Sequence, residues 1–352
     1  MAGIWIMTDT HLGARSNSLE WLEIMEDTHM NFIIPTIENN IKEGDIIFNC
    51  GDVFDNRTSV NLKALDLGIK IYEKLGKLAP VHIVAGNHDI YFKNNTEVTS
   101  LDSLKWIPNI NVHKECSILE YGGEKILIMP WRKDIAEESK TLKKYQEEEK
   151  CTYAMMHGTF SLIKYNKYVE IQEEDGANPK SADGYKRVYT GHIHWGQTKG
   201  NINVIGTPYQ ITRGDSGNRK GIYYLNLETG EETFYENNIA PKFLSYTINT
   251  LEKEIFVKIQ KESANNFIDI HIQNKLLVKN SAALNKIFHK ISENSRSLNI
   301  FPIDNEYDSI DDSSSSLDAK ELINKEIDNR FEEGEERKKA HAIVDEIIKQ
   351  IQ

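Results

Sequence analysis

The sequence predicts an α/β layered domain, followed by a smaller α+β domain and a helical tail. Three observations carry this reading. Short apolar runs alternate with loops and amphipathic stretches over roughly the first 240 of 352 residues. Several of those runs end directly in short polar motifs rich in Asp, His and Gly. The pattern then changes after Pro241 and again at Asp304. Strands mixed with helices on this scale bury their apolar faces in layers.

Strand-like runs occupy residues 4–7, 46–49, 81–85, 126–129, 152–156, 187–190, 203–205 and 222–227, and helical spacing covers 19–41, 62–75 and 135–149. Gly122-Gly123 between 118–121 and 125–129 signals a hairpin. Pro241 closes the first domain, 1–240. Beyond it, extended runs at 246–248, 254–259, 267–272 and 298–301 with a helical pattern over 282–291 give a small α+β domain, 241–303. Asp311-Asp312 and four serines mark 304–316 as a flexible linker. In 317–352, Leu317, Leu322, Ile323, Ile327 and Phe331 form one helical stripe. Ala340, Ile343, Val344, Ile347, Ile348 and Ile351 form a second, with Gly334 between them. Two short amphipathic helices on a tether cannot bury both stripes alone. They either fold back on the parent domain or grip a helical or coiled-coil partner.

A hydrophobic fraction of 39% suffices for a sizeable core. No apolar run approaches the ~18 residues of a membrane span. The opening Met-Ala-Gly-Ile-Trp-Ile-Met enters a strand without a basic region or cleavage site, which argues against a secretory signal. Cys50, Cys116 and Cys151 are odd in number and far apart. They read as reduced core residues of an intracellular, cytoplasmic protein, not a zinc site or disulfide framework. The net charge of −12 argues at first against a nucleic-acid partner. From Asp304 onward, however, fifteen acidic residues meet only seven basic ones, so the first 303 residues carry just −4. Two divalent cations in one cleft would reverse the local sign.

The chemistry concentrates in five motifs, each directly after an apolar run: Asp9-Thr10-His11, Gly51-Asp52, Gly86-Asn87-His88-Asp89, His157-Gly158 and Gly191-His192-Ile193-His194. Loops at the carboxyl ends of strands gather at one edge of a layered fold, and the glycines let the chain turn there. Carboxylate and amide oxygens combined with imidazoles suit Mn²⁺, Fe or Zn²⁺, and the lack of thiolates speaks against structural zinc. The donors suffice for two metals, which can clamp a phosphate and generate hydroxide at neutral pH. Taken singly, D-x-H or Gly-Asp is a surface turn and a strand-end histidine is a satisfied core residue. The five together, in this order, point to a metal-dependent phosphoesterase.

The series resembles the calcineurin-like metallophosphoesterase superfamily, with its D-x-H, G-D-x-x-D (here Gly51-Asp52-Val53-Phe54-Asp55), G-N-H-[DE], H and G-H-x-H signature. The resemblance implies a β-sandwich flanked by helices. It places Asp9, His11, Asp52 and His194 on one metal and Asp52, Asn87, His157 and His192 on a second, with Asp52 bridging. His88 would assist the leaving oxygen, and Asp55 would orient His88. Read from the residues alone, an exposed loop Asp at position 55 could instead simply cap the helix over 60–76.

Within that superfamily, Thr8-Asp9-Thr10-His11-Leu12-Gly13, the Gly51–Asp55 stretch and Gly206-Thr207-Pro208-Tyr209-Gln210 are similar to the SbcD nucleases, relatives of the meiotic-recombination-eleven nuclease. The likeness is specific over 1–225 and architectural over 240–352, and the short length resembles T-even phage versions. It implies a capping domain and a C-terminal segment that binds an SbcC-type ATPase through Leu322, Ile323, Ile327, Phe331, Ile343, Val344, Ile347 and Ile348. It further implies a homodimer and manganese-dependent cutting of DNA ends and hairpins in recombination, repair and replication, with Mg²⁺, Fe or Zn²⁺ as other occupants. A hydroxide between the metals would attack phosphorus in line. Arg15, Arg57, Arg132 and Arg213 are candidates for DNA backbone contacts or ordinary surface charges. Leu62, Leu65, Ile69 and Tyr72 share a helical stripe that suits either a dimer or the core. Two other functions use the same residues: a phosphoesterase acting on small phosphomonoesters or cyclic nucleotides, and an inactive DNA-end scaffold.

Overall fold

Two six-stranded sheets lie face to face at the centre of the structure, a computed structural model that describes residues 2–92 and 95–303 together with positions 327, 334, 337–339 and 341. The first part of the chain runs β1 (Gly3–Met7), α1 (Leu19–Thr28), α2 (Ile34–Asn40), β2 (Ile46–Asn49), α3 (Leu62–Leu78), β3 (Val81–Val84) and β4 (Ile110–His113). It continues with β5 (Ser117–Tyr121), β6 (Glu124–Met129), α4 (Ile135–Glu147), β7 (Tyr153–His157), β8 (Arg187–Gly191), β9 (Gln197–Lys199), β10 (Ile202–Val204), β11 (Gly221–Asn226) and β12 (Glu232–Glu236). One sheet has the order β12-β11-β1-β2-β3-β4 and the other β5-β6-β7-β8-β10-β9. Strands β1 to β4 are mutually parallel, as are β6, β7, β8 and β10. Two bundles of carboxyl ends result, and the motif loops leave from them.

The period-2 alternation of a strand explains the layers. Ile4 and Ile6 of β1 and Phe48 of β2 pack with Ile126, Ile128, Met155 and Tyr189 of the opposite sheet. The intervening Trp5, Met7 and Ile47 instead pack with Trp21, Ile37, Leu67 and Ile71 from the helices. On the far side, Leu127, Met129, Ala154 and Met156 meet Leu142 of α4. Strands buried on both faces read as near-continuous apolar runs, which is why they stood out in the sequence. The chain therefore adopts the α/β layered sandwich flanked by helices.

Residues 2–271 pack with 282–301 as one unit. Within it, β13 (Phe243–Ile248), α5 (Lys253–Glu262) and β14 (Phe267–Gln273) join the earlier chain through an aromatic stack: Trp21 lies 5.4 Å from Phe267, and Phe267 lies 4.8 Å from Phe243. The short helix α6 (Asn274–Lys279) belongs to a separate unit and buries none of its residues. Helix α7 (Ser281–Ser292) and β15 (Ser297–Ile303) follow, and β13-β14-β15 form the third sheet.

Several expectations need correction. The run 254–259 is helical, not extended: Phe256 and Ile259, three residues apart, are buried, while Val257 is 55% exposed. The stretch 19–41 is helical without interruption from Leu19 to Asn40, as expected, but it widens into a π-helical turn at His29–Ile33, with Pro35 in the first turn of α2 and the buried His29 Nδ1 donating to the Met25 carbonyl at 2.7 Å. Strands β4 and β12 were not anticipated, because their faces are too mixed to alternate cleanly. In the 62/65/69/72 stripe, Tyr72 is buried and its hydroxyl accepts from Asn49 Nδ2 at 2.8 Å. Leu65 and Ile69 pack partly against the core and Leu62 is 81% exposed. The linker 304–316 and Leu322, Ile323, Phe331, Ile343, Val344, Ile347 and Ile348 lie outside the described residues; Ile327 is a half-buried helical position.

Candidate metal centre

The site is built where β1, β2, β3, β7 and β8 end. Asp9 and His11 follow β1, Asp52 follows β2, Asn87 and His88 follow β3, His157 closes β7, and His192 and His194 follow β8. Four of these take a left-handed backbone that L-residues rarely adopt: Asp9 (φ 51°), His11 (42°), Asp52 (54°) and His192 (85°). Each such residue costs about 1–3 kcal/mol and persists only where surrounding structure enforces it. The neighbouring glycines permit the crowding. A Cβ on Gly86 would overlap Asp52 Oδ1, and one on Gly191 would overlap Thr8 Oγ1.

Seven expected ligands converge here. Three overlapping clusters have their donor atoms within 4.8 Å of one another: Asp9, His11 and His194; His11, Asp52 and His88; and Asp52, His157 and His192. Asp52 Oδ2 lies 3.7 Å from His11 Nε2 and 3.4 Å from His157 Nε2, so one oxygen serves both sides. On the first side, His11 Nε2 is 3.0 Å from His194 Nε2 and 3.6 Å from Asp9 Oδ1. On the second, Asn87 Oδ1 is 2.9 Å from His157 Nε2 and 2.7 Å from His192 Nδ1. Donors about 2.0–2.2 Å from a shared ion lie about 3–3.5 Å apart, so the spacing fits one divalent ion on each side. Clustered carboxylates and imidazoles without thiolates make this a site for divalent metal.

Neighbouring groups aim the ligands. His157 Nδ1 donates to the Cys50 carbonyl at 2.7 Å, which turns Nε2 toward Asp52 and Asn87. His88 Nδ1 donates to the backbone carbonyl of Asp55, while the Asp55 carboxylate lies 3.3 Å from His11 Nδ1. Asp55 thus reaches His88 through its main chain and His11 through its side chain, a division the sequence did not suggest. It does not cap α3; Asn61 does, accepting from Lys63 N at 2.9 Å.

Burial of these charges sets their titration. Burial opposes a proton on His11, but Asp55, Asp9 and Asp52 outweigh it and lift its pKa to about 10. In His157 burial also opposes the charge, and Asp52 raises the pKa to about 9. Burial holds His192 and His194 down at about 4. Although burial disfavours the ionised form of Asp52, His157 and His11 hold it well below the usual carboxylate range. The cluster is therefore anionic, with compensating positive charge drawn onto two of its histidines.

Three further groups support the ligands, and the sequence assigned a role to none of them. Asp89, fully buried, accepts from the backbone N–H of Asp52 (2.8 Å), Gly86 (3.0 Å), Val53 (3.1 Å) and Phe54 (3.3 Å), tying two ligand loops together. Burial and the Asp52 charge push its pKa up to about 7. Lys220, 5% exposed, donates to the His194 carbonyl at 2.6 Å and to Asp215 Oδ1 at 2.7 Å. Glu138 on α4 is 2% exposed beside Gly158, and its Oε1 is unpartnered. Asp89 was visible as the last letter of its motif; Lys220 and Glu138 had no local signal. Tyr209, in the 206–210 stretch, donates its hydroxyl to the Thr10 carbonyl, so that stretch braces the His11 loop.

The four arginines have different surroundings. Arg15 donates to the Ile211 carbonyl at 3.0 Å and lies over Trp21. Arg132 pairs with Glu137 at 3.1 Å, and Arg213 with Asp269. Arg57, half-buried two residues beyond Asp55, has no ion pair among the described residues.

The calcineurin-like phosphoesterase profile matches residues 2–196, which include every expected ligand. "Exonuclease subunit 1" of Enterobacteria phage T4 is 26% identical over 233 residues, 65% of this chain and 66% of that protein. "Uncharacterized protein R555" of Acanthamoeba polyphaga mimivirus is 22% identical over 237 residues, 64% of this chain and 17% of that one. The match thus spans just under two thirds of the phage protein and a small part of the mimivirus protein. A solved structure described as a novel archaeal phosphodiesterase is 16% identical with a TM-score of 0.36, covering 67% of this chain and 99% of its own.

Proposed function

Since this chain belongs to the calcineurin-like phosphoesterase family and is a metal-dependent phosphoesterase, we propose that its substrate is DNA and that it is the nuclease subunit of an SbcCD-like recombination and repair complex. The observation that carries the two-metal part is the single Asp52 oxygen set between His11 and His157. Asp9, His11, Asp52 and His194 would hold one ion, and Asp52, Asn87, His157 and His192 the other, with Mn²⁺ the expected occupant. When bound, the ions supply Lewis acidity toward the phosphate and a nucleophile at neutral pH.

The chain's own residues do the rest. His88, with Nδ1 engaged by the Asp55 carbonyl, has Nε2 left for the departing sugar oxygen. Its backbone N–H donates to Asp52 Oδ1 at 2.8 Å, so a hydrogen bond between the two loops fixes the acid against the shared carboxylate. Similarity to the phage exonuclease subunit supports a polynucleotide substrate over a small ester. A second chain of the same kind and an SbcC-type ATPase, the latter bound by 317–352, complete the proposed assembly.

The test is degradation of linear duplex DNA with Mn²⁺, beside hydrolysis of an aryl phosphodiester. Turnover of the small ester with no cutting of DNA, alone or with the ATPase, would overturn the DNA reading and leave a small-molecule phosphoesterase.

A further inference from the structure

Between the two histidine loops the chain throws out a hairpin that the metal centre does not use. It starts directly after the His157 loop. Leu162 N–H donates to the Ile171 carbonyl at 2.8 Å, Ile171 N–H to the Ile163 carbonyl at 2.8 Å, and Tyr165 N–H to the Val169 carbonyl at 2.8 Å. Its base is apolar and fixed: Ile163 and Ile171 are buried in the cluster beneath α4. Its flank is stapled to the other histidine loop. Lys164 N–H donates to Gln197 Oε1 at 2.9 Å, while Gln197 Nε2 donates to the carbonyls of Lys164 (2.7 Å) and Trp195 (3.0 Å). Trp195 directly follows His194.

The tip contradicts ordinary surface composition. Tyr165 is 57% exposed, Tyr168 85% and Val169 51%. Asn166 Oδ1 accepts from the backbone N–H of Tyr168 and Val169, so the turn carrying the rings is held by its own hydrogen bonds. Lys164 and Lys167 are exposed and pair with no carboxylate among the described residues; Lys167 Nζ lies 5.3 Å from the Tyr168 ring. Lys199 adds a third cation, donating to the Leu162 carbonyl.

We infer that this hairpin tip is a stacking platform for unpaired bases of a single-stranded nucleic acid leading into the metal centre. Exposed aromatic faces interleaved with cations not neutralised by a carboxylate are what such a strand recognises, since every base has a π-face and every linkage a charge. Paired bases have no free face, so the platform reads strand ends or unpaired loops rather than duplex. A protein groove would satisfy the tyrosines but gives no use for unpaired lysines beside a phosphoester site. The inference rests on the DNA reading and deepens it.

The experiment is fluorescence anisotropy of a labelled oligothymidylate with the full-length protein in EDTA, which stops cutting. Y165A/Y168A is expected to weaken binding about tenfold or more, and Y165F/Y168F to bind within about twofold of wild type, because stacking needs the ring and not the hydroxyl. K164Q/K167Q is expected to lower the slope of log K against log salt by about 1.4, two contacts' worth for a single strand. Manganese content and thermal midpoint, both unchanged in Y165A/Y168A, establish that the site is intact. Binding by that intact variant within twofold of wild type overturns the platform and assigns the tip to protein recognition. A wild type that binds no oligonucleotide fails earlier, at the DNA reading, and needs no variant to show it.

Discussion

The buried carboxylate of Asp89 accepts a hydrogen bond from the backbone N–H of Asp52 at 2.8 Å, so the residue shared by both halves of the centre is itself held from behind by a second acid. Three further backbone donors converge on that carboxylate. An Asp89→Asn change turns part of that acceptor into a donor facing other donors. The expected loss is about 2–4 kcal/mol in urea unfolding, together with weaker manganese binding. Wild-type stability would show that the loops hold without this anchor.

Asp52 and His88 sit in neighbouring loops, after β2 and β3, and are expected to have separable roles. Asp52→Asn is expected to lose bound manganese, measured by elemental analysis, and all cutting with it. His88→Asn keeps its metal and loses about 10²–10⁴-fold in rate. A His88 variant that cuts at the wild-type rate would remove that residue from the chemistry.

Lys220 is buried with its amine shared between Asp215 and the His194 carbonyl. Lys220→Met leaves Asp215 charged and unpaired, an expected cost of about 3–5 kcal/mol. Adding Asp215→Asn should recover part of it. A double variant no more stable than the single one would mean the carbonyl contact, not the ion pair, dominates.

Glu138 gives a pH test. Burial raises its pKa from 4.5 to about 8. Between those values the native state keeps the proton that the unfolded chain releases, so this residue costs stability increasingly as pH rises from 4.5 to about 8. Glu138→Gln should therefore unfold like wild type at pH 4 and be more stable by about 1–3 kcal/mol at pH 8. The difference is read from urea midpoints at the two values. A constant difference across the range would show that the carboxyl is already ionised in the fold.

Most of the sandwich was legible because doubly buried strands advertise themselves as apolar runs, as at Ile46–Asn49 and Tyr153–His157. The ligands were legible because each polar motif interrupts such a run. Edge strand Glu232–Glu236 was not, since a half-exposed strand carries no such contrast. The run at 254–259 misled because a short apolar segment does not declare its period, and the spacing of Phe256 and Ile259 decided it in favour of a helix. Lys220, Glu138 and the Asp55 main-chain contact are tertiary relationships, set by residues distant in the chain. The tyrosine tip carries no sequence signal of its own, because aromatic residues at Tyr165 and Tyr168 suit a buried strand as well as an exposed turn.

Asp9 accepts from the backbone N–H of His192, 183 positions further along the chain. A ribosome must therefore deliver more than half of the polypeptide before Asp9 can meet His192. A chain ending before residue 190 keeps Asp9, His11, Asp52, Asn87 and His157 but lacks His192 and His194, so it is expected to bind manganese more weakly than the full chain, whose stability should rise with the logarithm of the metal concentration.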